Sequence, residues 1–202
     1  MTKIIYTLAI DTANDSISVA LLKNKDVLSH DFRIMNRGQG EALIPMIQSV
    51  LKEASFDIQK LDRVAVSIGP GSFTGVRIGL SAARGVGLAL NIPIYGVTSF
   101  EAAAYQSAGF VLAVLDTKRG DFYTQLFQDG KEAEGPTIRT VGQISSLDVP
   151  VLIGAGAQSL ANQTKKEIRL YPMEPAIAVG LCSFQKTYPP EPLYLRDADV
   201  SL

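Results

Sequence analysis

Two Asp-Thr pairs at the ends of apolar runs are the residues best suited to chemistry in this sequence. Asp11-Thr12 closes the run that begins at Ile4, and Asp116-Thr117 closes a similar run. Carboxylate oxygens coordinate Mg²⁺ and turn amides bind phosphate, so two facing pairs would hold a Mg-bound nucleotide. The alternative is that each Asp caps a hairpin. Residues 13–15 contain no glycine and residues 118–120 only Gly120, which favours a degenerate nucleotide site.

The most unusual segment is Gly69–Gly75, GPGSFTG, which we call the elbow. Its glycines permit a sharp turn, and the hydroxyls of Ser72 and Thr74 are suited to capping the helix that follows. A helix N-terminus also attracts phosphate, but the elbow lacks the lysine of a P-loop. Ser72 as a nucleophile would need a base, and His30 lies in a strand that reads as exposed. Hydrolase chemistry is therefore poorly supported.

Composition limits the remaining classes of function. The 202 residues have a net charge of -1, which provides no basic field for nucleic acid, so any role with RNA should be indirect. Cys182 and His30 are the only residues of their types, which excludes a disulfide framework and a Cys/His metal cluster within one chain. No apolar run approaches the roughly 20 residues of a membrane span. We expect a cytoplasmic protein that does not enter a membrane.

The elements that would position these residues follow from periodicity. Apolar runs and turn signals predict strands, helical spacing predicts two helices in the first half, and the chain reads as an α/β protein. The predicted strands are 4–11, 16–22, 27–34, 63–68, 94–97, 112–117, 122–127, 151–154 and 168–170. The predicted helices are 40–52, the one after the elbow, 99–107, 141–147, 157–166 and 175–185, with residues 193–196 as a tail that docks on a lobe.

The sequence pattern of the first half recurs in the second half. Leu8–Thr12 is answered by Leu112–Thr117, and each is followed by a polar turn and an alternating strand. The repeated unit consists of three strands, a helix, a strand and a helix. It divides the chain into a first lobe, residues 1–108, whose helices are expected to form a dimer, and a smaller second lobe with a tail, residues 109–202. The second copy is predicted to be truncated.

Small residues recur every four positions along the helix after the elbow. We call Gly75, Gly79, Ala83 and Gly87 the ridge. Interior glycines cost about 0.8–1 kcal/mol each relative to alanine, so burial in the domain or contact with a partner helix must offset them. The second half lacks a ridge, which favours the partner. The predicted interface adds residues on the same two helices: Leu43, Met46, Ile47, Val50, Arg77, Ser81 and Arg84.

Four segments resemble the TsaB (YeaZ) family over essentially the whole chain: IDTANDSISVALL, GPGSFTGVRIGLSAARG, residues 116–120 and the closing PLYLR. The resemblance implies the actin-like superfold of actin, hexokinase and Hsp70, with two lobes that grip a nucleotide. Gly154 and Gly156 then lie where this superfold binds adenosine, although they equally fit a turn between strand and helix.

The resemblance also implies a function. TsaB is the bacterial paralogue and partner of TsaD in making threonylcarbamoyladenosine in tRNA, with TsaE as a third, ATPase component and a helix-mediated homodimer in isolation. TsaD-type catalysis needs histidines that hold a metal on the first helix, and Arg37–Pro45 contains none. We therefore expect a non-catalytic scaffold without a metal or a required cofactor. A small ATP-binding kinase or ATPase of the same superfold, which would bind ATP or ADP with Mg²⁺, is the alternative.

Overall fold

The computed structural model describes residues 3–169 and 173–196, and they form two mixed sheets with helices around them. The strands are β1 Tyr6–Asp11, β2 Ser16–Lys23, β3 Asp26–Ile34, β4 Arg63–Ser67, β5 Ile94–Val97, β6 Phe110–Asp116, β7 Asp121–Gln128, β8 Lys131–Glu132, β9 Thr137–Thr140, β10 Val151–Ile153 and β11 Glu167–Arg169. The helices are α1 Gln39–Glu53, α2 Phe73–Leu90, α3 Ser99–Ala104, α4 Val141–Ser146 and α5 Pro175–Cys182. Short 3₁₀ turns cover Ile58–Lys60 and Ala157–Leu160.

The two sheets share one plan. The first has the order β3-β2-β1-β4-β5, in which β1, β2 and β3 are antiparallel and β4 and β5 run parallel to β1. The second has the order β11-β10-β6-β7-β8, with β9 beside β7, and β10 and β11 parallel to β6. The predicted repeat is therefore present as a meander joined to parallel strands. The carboxyl ends of β1 and β6 occupy equivalent positions.

Helices cover both faces of the first sheet. On one face α1 and α2 pack on alternate residues of the central strands, including Leu8, Ile10 and Val66. On the other face α5 packs on the small residues Ala9 and Ala65. Burial of both faces explains why β1 and β4 read as continuous apolar runs rather than as alternating patterns.

The helix α5 is therefore placed differently from what its sequence position suggests. The sequence analysis assigned it to the unit 109–202, whereas it contacts β1, β2 and β4 of the first sheet. Arg63 secures its end, because Nη1 donates to Ser183 O (3.2 Å) and the guanidinium lies 3.7 Å from the centre of the Phe184 ring. The division at residue 108 stays a prediction.

Other boundaries also differ from those predicted: α3 ends at Ala104 and α5 at Cys182, each three residues before its predicted end. The helix expected at 157–166 is a 3₁₀ turn that ends at Leu160, because polar side chains bond the backbone there: Gln163 Nε2 donates to Ser159 O (2.9 Å) and Thr164 Oγ1 to Leu160 O (3.3 Å). The cap of α3 is Thr98 rather than Ser99, since Thr98 forms a reciprocal capping box with Glu101.

Candidate functional site

The elbow lies directly on the turn that follows β1. Ser72 N donates to Ala13 O (2.7 Å), and Ser72 Oγ caps α2 by accepting from Gly75 N (3.2 Å). A Cβ on Gly71 would lie 2.1 Å from Ala13 O, and one on Gly75 would lie 2.1 Å from Thr12 O. The glycines of the elbow are thus required by backbone packed on backbone. Thr74, the other predicted cap, lies inside α2.

The ridge faces the protein's own sheet, not a partner. A Cβ on Gly79 would meet Thr12 Oγ1 at 2.7 Å, and one on Gly87 would meet Ile94 at 2.6 Å, while Ala83 is fully buried. The predicted partner contact through Gly75, Gly79, Ala83 and Gly87 is therefore corrected. The glycines allow α2 to lie close to β1 and β4, and this packing offsets their low helix propensity.

The apolar residues predicted for the interface on α1 are also core residues. Leu43, Met46 and Val50 are each 1% exposed, and Ile47 is 4% exposed. They pack with α2 and the sheet in the same cluster as the ridge. Helical spacing identified the buried face of α1 correctly, but the assignment of that face to a partner was wrong.

Two predicted interface arginines hold the segment 187–196, which we call the strap. Arg77 Nε donates to Tyr194 OH (3.1 Å) and its guanidinium lies 3.7 Å from the centre of the Phe73 ring. Arg84 Nη2 donates to Pro190 O (2.6 Å). The predicted docking of residues 193–196 is confirmed, because Leu193 N also donates to Ile68 O (2.8 Å). Contact of these arginines with a partner stays a prediction.

A different face of the two helices remains open. We define the outer helix face as Ser81, Gly85 and Leu88 of α2 together with Ile44 of α1. Leu88 is 86% exposed and Ile44 50% exposed, and no atom lies within 4 Å of a Cβ built on Gly85. These four side chains carry no charge. Of the residues predicted for the interface, only Ser81 belongs to this face.

The first predicted nucleotide pair is used inside the fold. Thr12 Oγ1 donates to Gly75 O (2.7 Å), so its hydroxyl joins the turn to α2. Asp11 is 1% exposed and accepts from Ala13 N at 3.3 Å. Burial raises the pKa of Asp11 to about 6, and a hydrogen bond from Ser67 opposes this shift. The carboxyl of Asp11 is therefore buried and held within the chain.

The second pair is engaged in the same way. Asp116 Oδ1 accepts from Lys118 N (2.7 Å), and Lys118 Nζ lies 3.0 Å from Asp15 and 3.6 Å from Asp116. The hydrogen bond to Asp15 raises the pKa of Lys118 above its ordinary value. Lys118 therefore joins the turn after β1 to the turn after β6. Gly120, in the left-handed region at φ +85°, completes the second turn.

Gly154 and Gly156 have a structural explanation. A Cβ on Gly154 would lie 2.6 Å from Val114 O, and one on Gly156 would lie 2.7 Å from Asp116 N. Gly156 N donates to Val114 O (2.9 Å), which places the turn after β10 on the end of β6. This is the contact that the elbow makes with β1. A degenerate nucleotide site stays a prediction.

Sequence reasoning did not foresee an open cavity of about 690 Å³ between the first turns of α1 and α2. It overlaps the first five residues of the segment 37–45, which contains no histidine. In the sequence, the signals for this cavity were Gly38 before α1 and Gly71 before α2. Its lining residues are Asn36, Arg37, Gly38, Gln39, Gly40, Glu41, Ser72, Thr74 and Ile78.

No metal ligand set is found among residues 3–169 and 173–196, which contain no group of three His, Cys, Asp or Glu side chains able to hold an ion. His30 Nδ1 lies 2.6 Å from Glu174 Oε2. This contact joins β3 to the residue before α5, so His30 is engaged away from Ser72. Within the same described ranges no helix is long and apolar enough to cross a membrane.

We expect Asp11→Asn to change how stability depends on pH. Because the pKa of Asp11 is about 6 in the fold and 3.8 in its ordinary state, the native chain binds the proton more tightly, and this contribution to stability is lost as pH rises from about 4 to 6. The variant lacks the effect. Urea unfolding should show the stability of the wild type falling by up to about 3 kcal/mol relative to the variant over this interval. Parallel curves would contradict the burial of a titrating Asp11.

Comparison with known proteins identifies the family. A family model described as TsaD, tRNA N6-adenosine threonylcarbamoyltransferase, matches residues 33–199. An uncharacterized protein of Mycobacterium tuberculosis is 34% identical over 96% of this chain and 92% of its own length. TsaB of Bacillus subtilis is 35% identical, and TsaB of Escherichia coli 36%, each over 60% of this chain and 54% of the relative. The chain belongs to the TsaB (YeaZ) family.

Both TsaB relatives are tRNA threonylcarbamoyladenosine biosynthesis proteins, and the family is one of that pathway. The matches span about half the length of these TsaB proteins. YeaZ from Pseudomonas aeruginosa superposes with a TM-score of 0.77 at 24% identity, over 95% of this chain and all of that one. Component A of (R)-2-hydroxyglutaryl-CoA dehydratase from Acidaminococcus fermentans superposes with a TM-score of 0.56 at 12% identity, over 89% and 98%. The predicted actin-like α/β fold is confirmed.

Proposed function

We propose that this protein is a non-catalytic scaffold subunit of the tRNA threonylcarbamoyladenosine machinery. Its work is to bind a TsaD-type transferase, with a TsaE-type ATPase as the third component. The observation that carries the proposal is the outer helix face, which presents small and apolar side chains at Gly85, Ser81, Leu88 and Ile44. A helix pair of similar shape can approach such a face closely.

The residues that a nucleotide-dependent enzyme of this fold would use are engaged within the chain, and this supports the same proposal. Thr12, Asp116 and Lys118 are bonded within the chain, and Asp11 is buried. A cofactor is therefore not part of the proposed role. The tRNA is contacted by the transferase and reaches this subunit only indirectly, and the work takes place in the cytoplasm.

Reconstitution tests the proposal. The transferase, the ATPase and substrate tRNA are combined with and without this protein, and formation of the modified adenosine is measured. We expect modification to depend on the protein, and Asp116→Ala to support the same rate as the wild type because the subunit does no chemistry. Calorimetry of the isolated protein with Mg-ATP is the second measurement. Micromolar binding accompanied by turnover would contradict the scaffold and favour a small ATPase.

A further inference from the structure

The edge strand β3 is uncovered. Nine residues long, it ends the first sheet, and within residues 3–169 and 173–196 no strand pairs with its outer side. The opposite edge, β5, is protected, since Gly96 and Tyr188 exchange backbone hydrogen bonds of 2.8 and 2.9 Å. Long unprotected edges invite pairing with another strand, and native proteins usually blunt them. A bulge near Leu28 interrupts the start of β3, and among the described residues the regular part from Ser29 to Ile34 has a free outer side.

The side chains on β3 are unusually apolar for an open edge. Leu28 is 42% exposed, Phe32 37% and Ile34 83%. Phe32 and Ile34 lie two and four residues after His30, so they share its side of β3, and His30 contacts Glu174 before α5. Leu28 lies at a bulge, where the register between β2 and β3 shifts by one residue. Phe32 and Ile34 extend the apolar face of the sheet beyond the area that α5 covers.

The other side of β3 carries opposite charges two residues apart. Asp31 and Arg33 lie on the α1 side with Ser29, whose Oγ donates to Val50 O (2.7 Å). Arg33 Nη2 lies 2.5 Å from Asp31 Oδ2, so the two charges neutralise each other within one strand. Because the two charges are two residues apart, Asp31 and Arg33 are also spaced to pair with Arg33 and Asp31 of a second, antiparallel β3.

We propose that β3 binds a second copy of this chain through antiparallel pairing centred on Phe32. A two-fold axis at Phe32 sets Asp31 opposite Arg33 of the second copy, and Arg33 opposite Asp31, while the two Phe32 rings become cross-strand neighbours. Opposite charges and aromatic pairs at such positions stabilise sheets. Centring the axis on Asp31 instead would oppose like charges, which is unfavourable.

This surface is separate from the outer helix face. The helices α1 and α2 pack on a face of the sheet, whereas β3 is at its edge, so one subunit has two independent contacts. The pairing joins two first sheets into one continuous sheet and leaves each outer helix face to bind its own partner. The inference does not depend on the proposed function.

Charge reversal tests the pairing by sedimentation velocity across a range of concentrations. All proteins carry Gly85→Trp, which blocks self-association through the outer helix face. We expect this background to dimerise, and Arg33→Asp or Asp31→Arg alone to raise the dissociation constant of the dimer at least about tenfold. An equimolar mixture of the two variants should restore the dimer, because each Asp then faces an Arg.

Two results would overturn the proposal. One is a Gly85→Trp protein that remains a monomer at every concentration. The other is a dimer that neither charge reversal weakens, or one whose loss the mixture does not repair. Circular dichroism checks that the exposed substitutions leave the fold intact, and Gln48→Glu on α1 is the matched control for a change of surface charge.

Discussion

Gly75→Ala is expected to destabilise the protein by about 3 kcal/mol or more, and to prevent folding where the margin is small. Its Cβ would lie 2.1 Å from the backbone oxygen of Thr12, and because Cβ is bonded directly to the backbone of α2, no side-chain rotation can relieve the contact. To relieve the contact, α2 would have to withdraw from β1, which opens the core beneath it and breaks the bond from Thr12 Oγ1 to Gly75 O. Urea unfolding followed by circular dichroism measures the loss.

Gly85→Ala is the matched control for this change. Both glycines lie in α2, but nothing approaches within 4 Å of a Cβ on Gly85. Alanine should therefore stabilise the protein there by roughly 0.5–1 kcal/mol, through helix propensity alone. Equal effects at the two positions would mean that α2 does not lie on β1 as described.

Gly85→Trp is expected to abolish binding of the TsaD-type transferase while the subunit stays folded. The indole would stand in the centre of the outer helix face, where a partner helix must approach closely. Tryptophan has a better helix propensity than glycine, so the stability of the free subunit should not fall. Calorimetry should show the affinity for the transferase reduced at least about a hundredfold.

Gly135→Trp is the control that distinguishes the effect of the position of the tryptophan from the effect of its bulk. Gly135 lies between β8 and β9, and nothing approaches a Cβ built on it. This variant should bind the transferase like the wild type and support modification of tRNA. If Gly85→Trp bound equally well, the outer helix face would not be the docking surface. Gly79→Trp is unsuitable for this test, because a Cβ at Gly79 already meets Thr12 Oγ1 at 2.7 Å.

The repeat of the fold resolves why glycines appear where they do. The elbow approaches the end of β1 through Gly71 and Gly75, and the turn after β10 approaches the end of β6 through Gly154 and Gly156. The second lobe thus has a shorter version of the same contact. The lack of a ridge in the second lobe favoured a partner helix in the sequence analysis. The structure gives another reason for that lack: a long helix follows the glycine turn in the first lobe, whereas a short 3₁₀ turn follows it in the second.

The sequence by itself determined the strands β1 to β7, the long helices and the buried face of α1, and it left Ser72 and Thr74 as the two candidates for the cap of α2. Those features depend on local propensity, on periodicity and on turn residues, all of which are written in short windows of the chain. The motifs also determined the family, because the elbow is a long and unusual segment. The missing histidines of α1 were visible in the same way.

Only the tertiary structure decided which faces of α1 and α2 are buried within the chain. A ridge of small residues looks the same whether a sheet or a foreign helix lies against it, and Gly75 and Gly85 differ only in what stands opposite. The placement of α5 on the first sheet, the capture of Arg77 and Arg84 by the strap, and the joining of the hairpin turns by Lys118 all link residues far apart in sequence. No local pattern records such contacts, because they arise only when the lobes pack together.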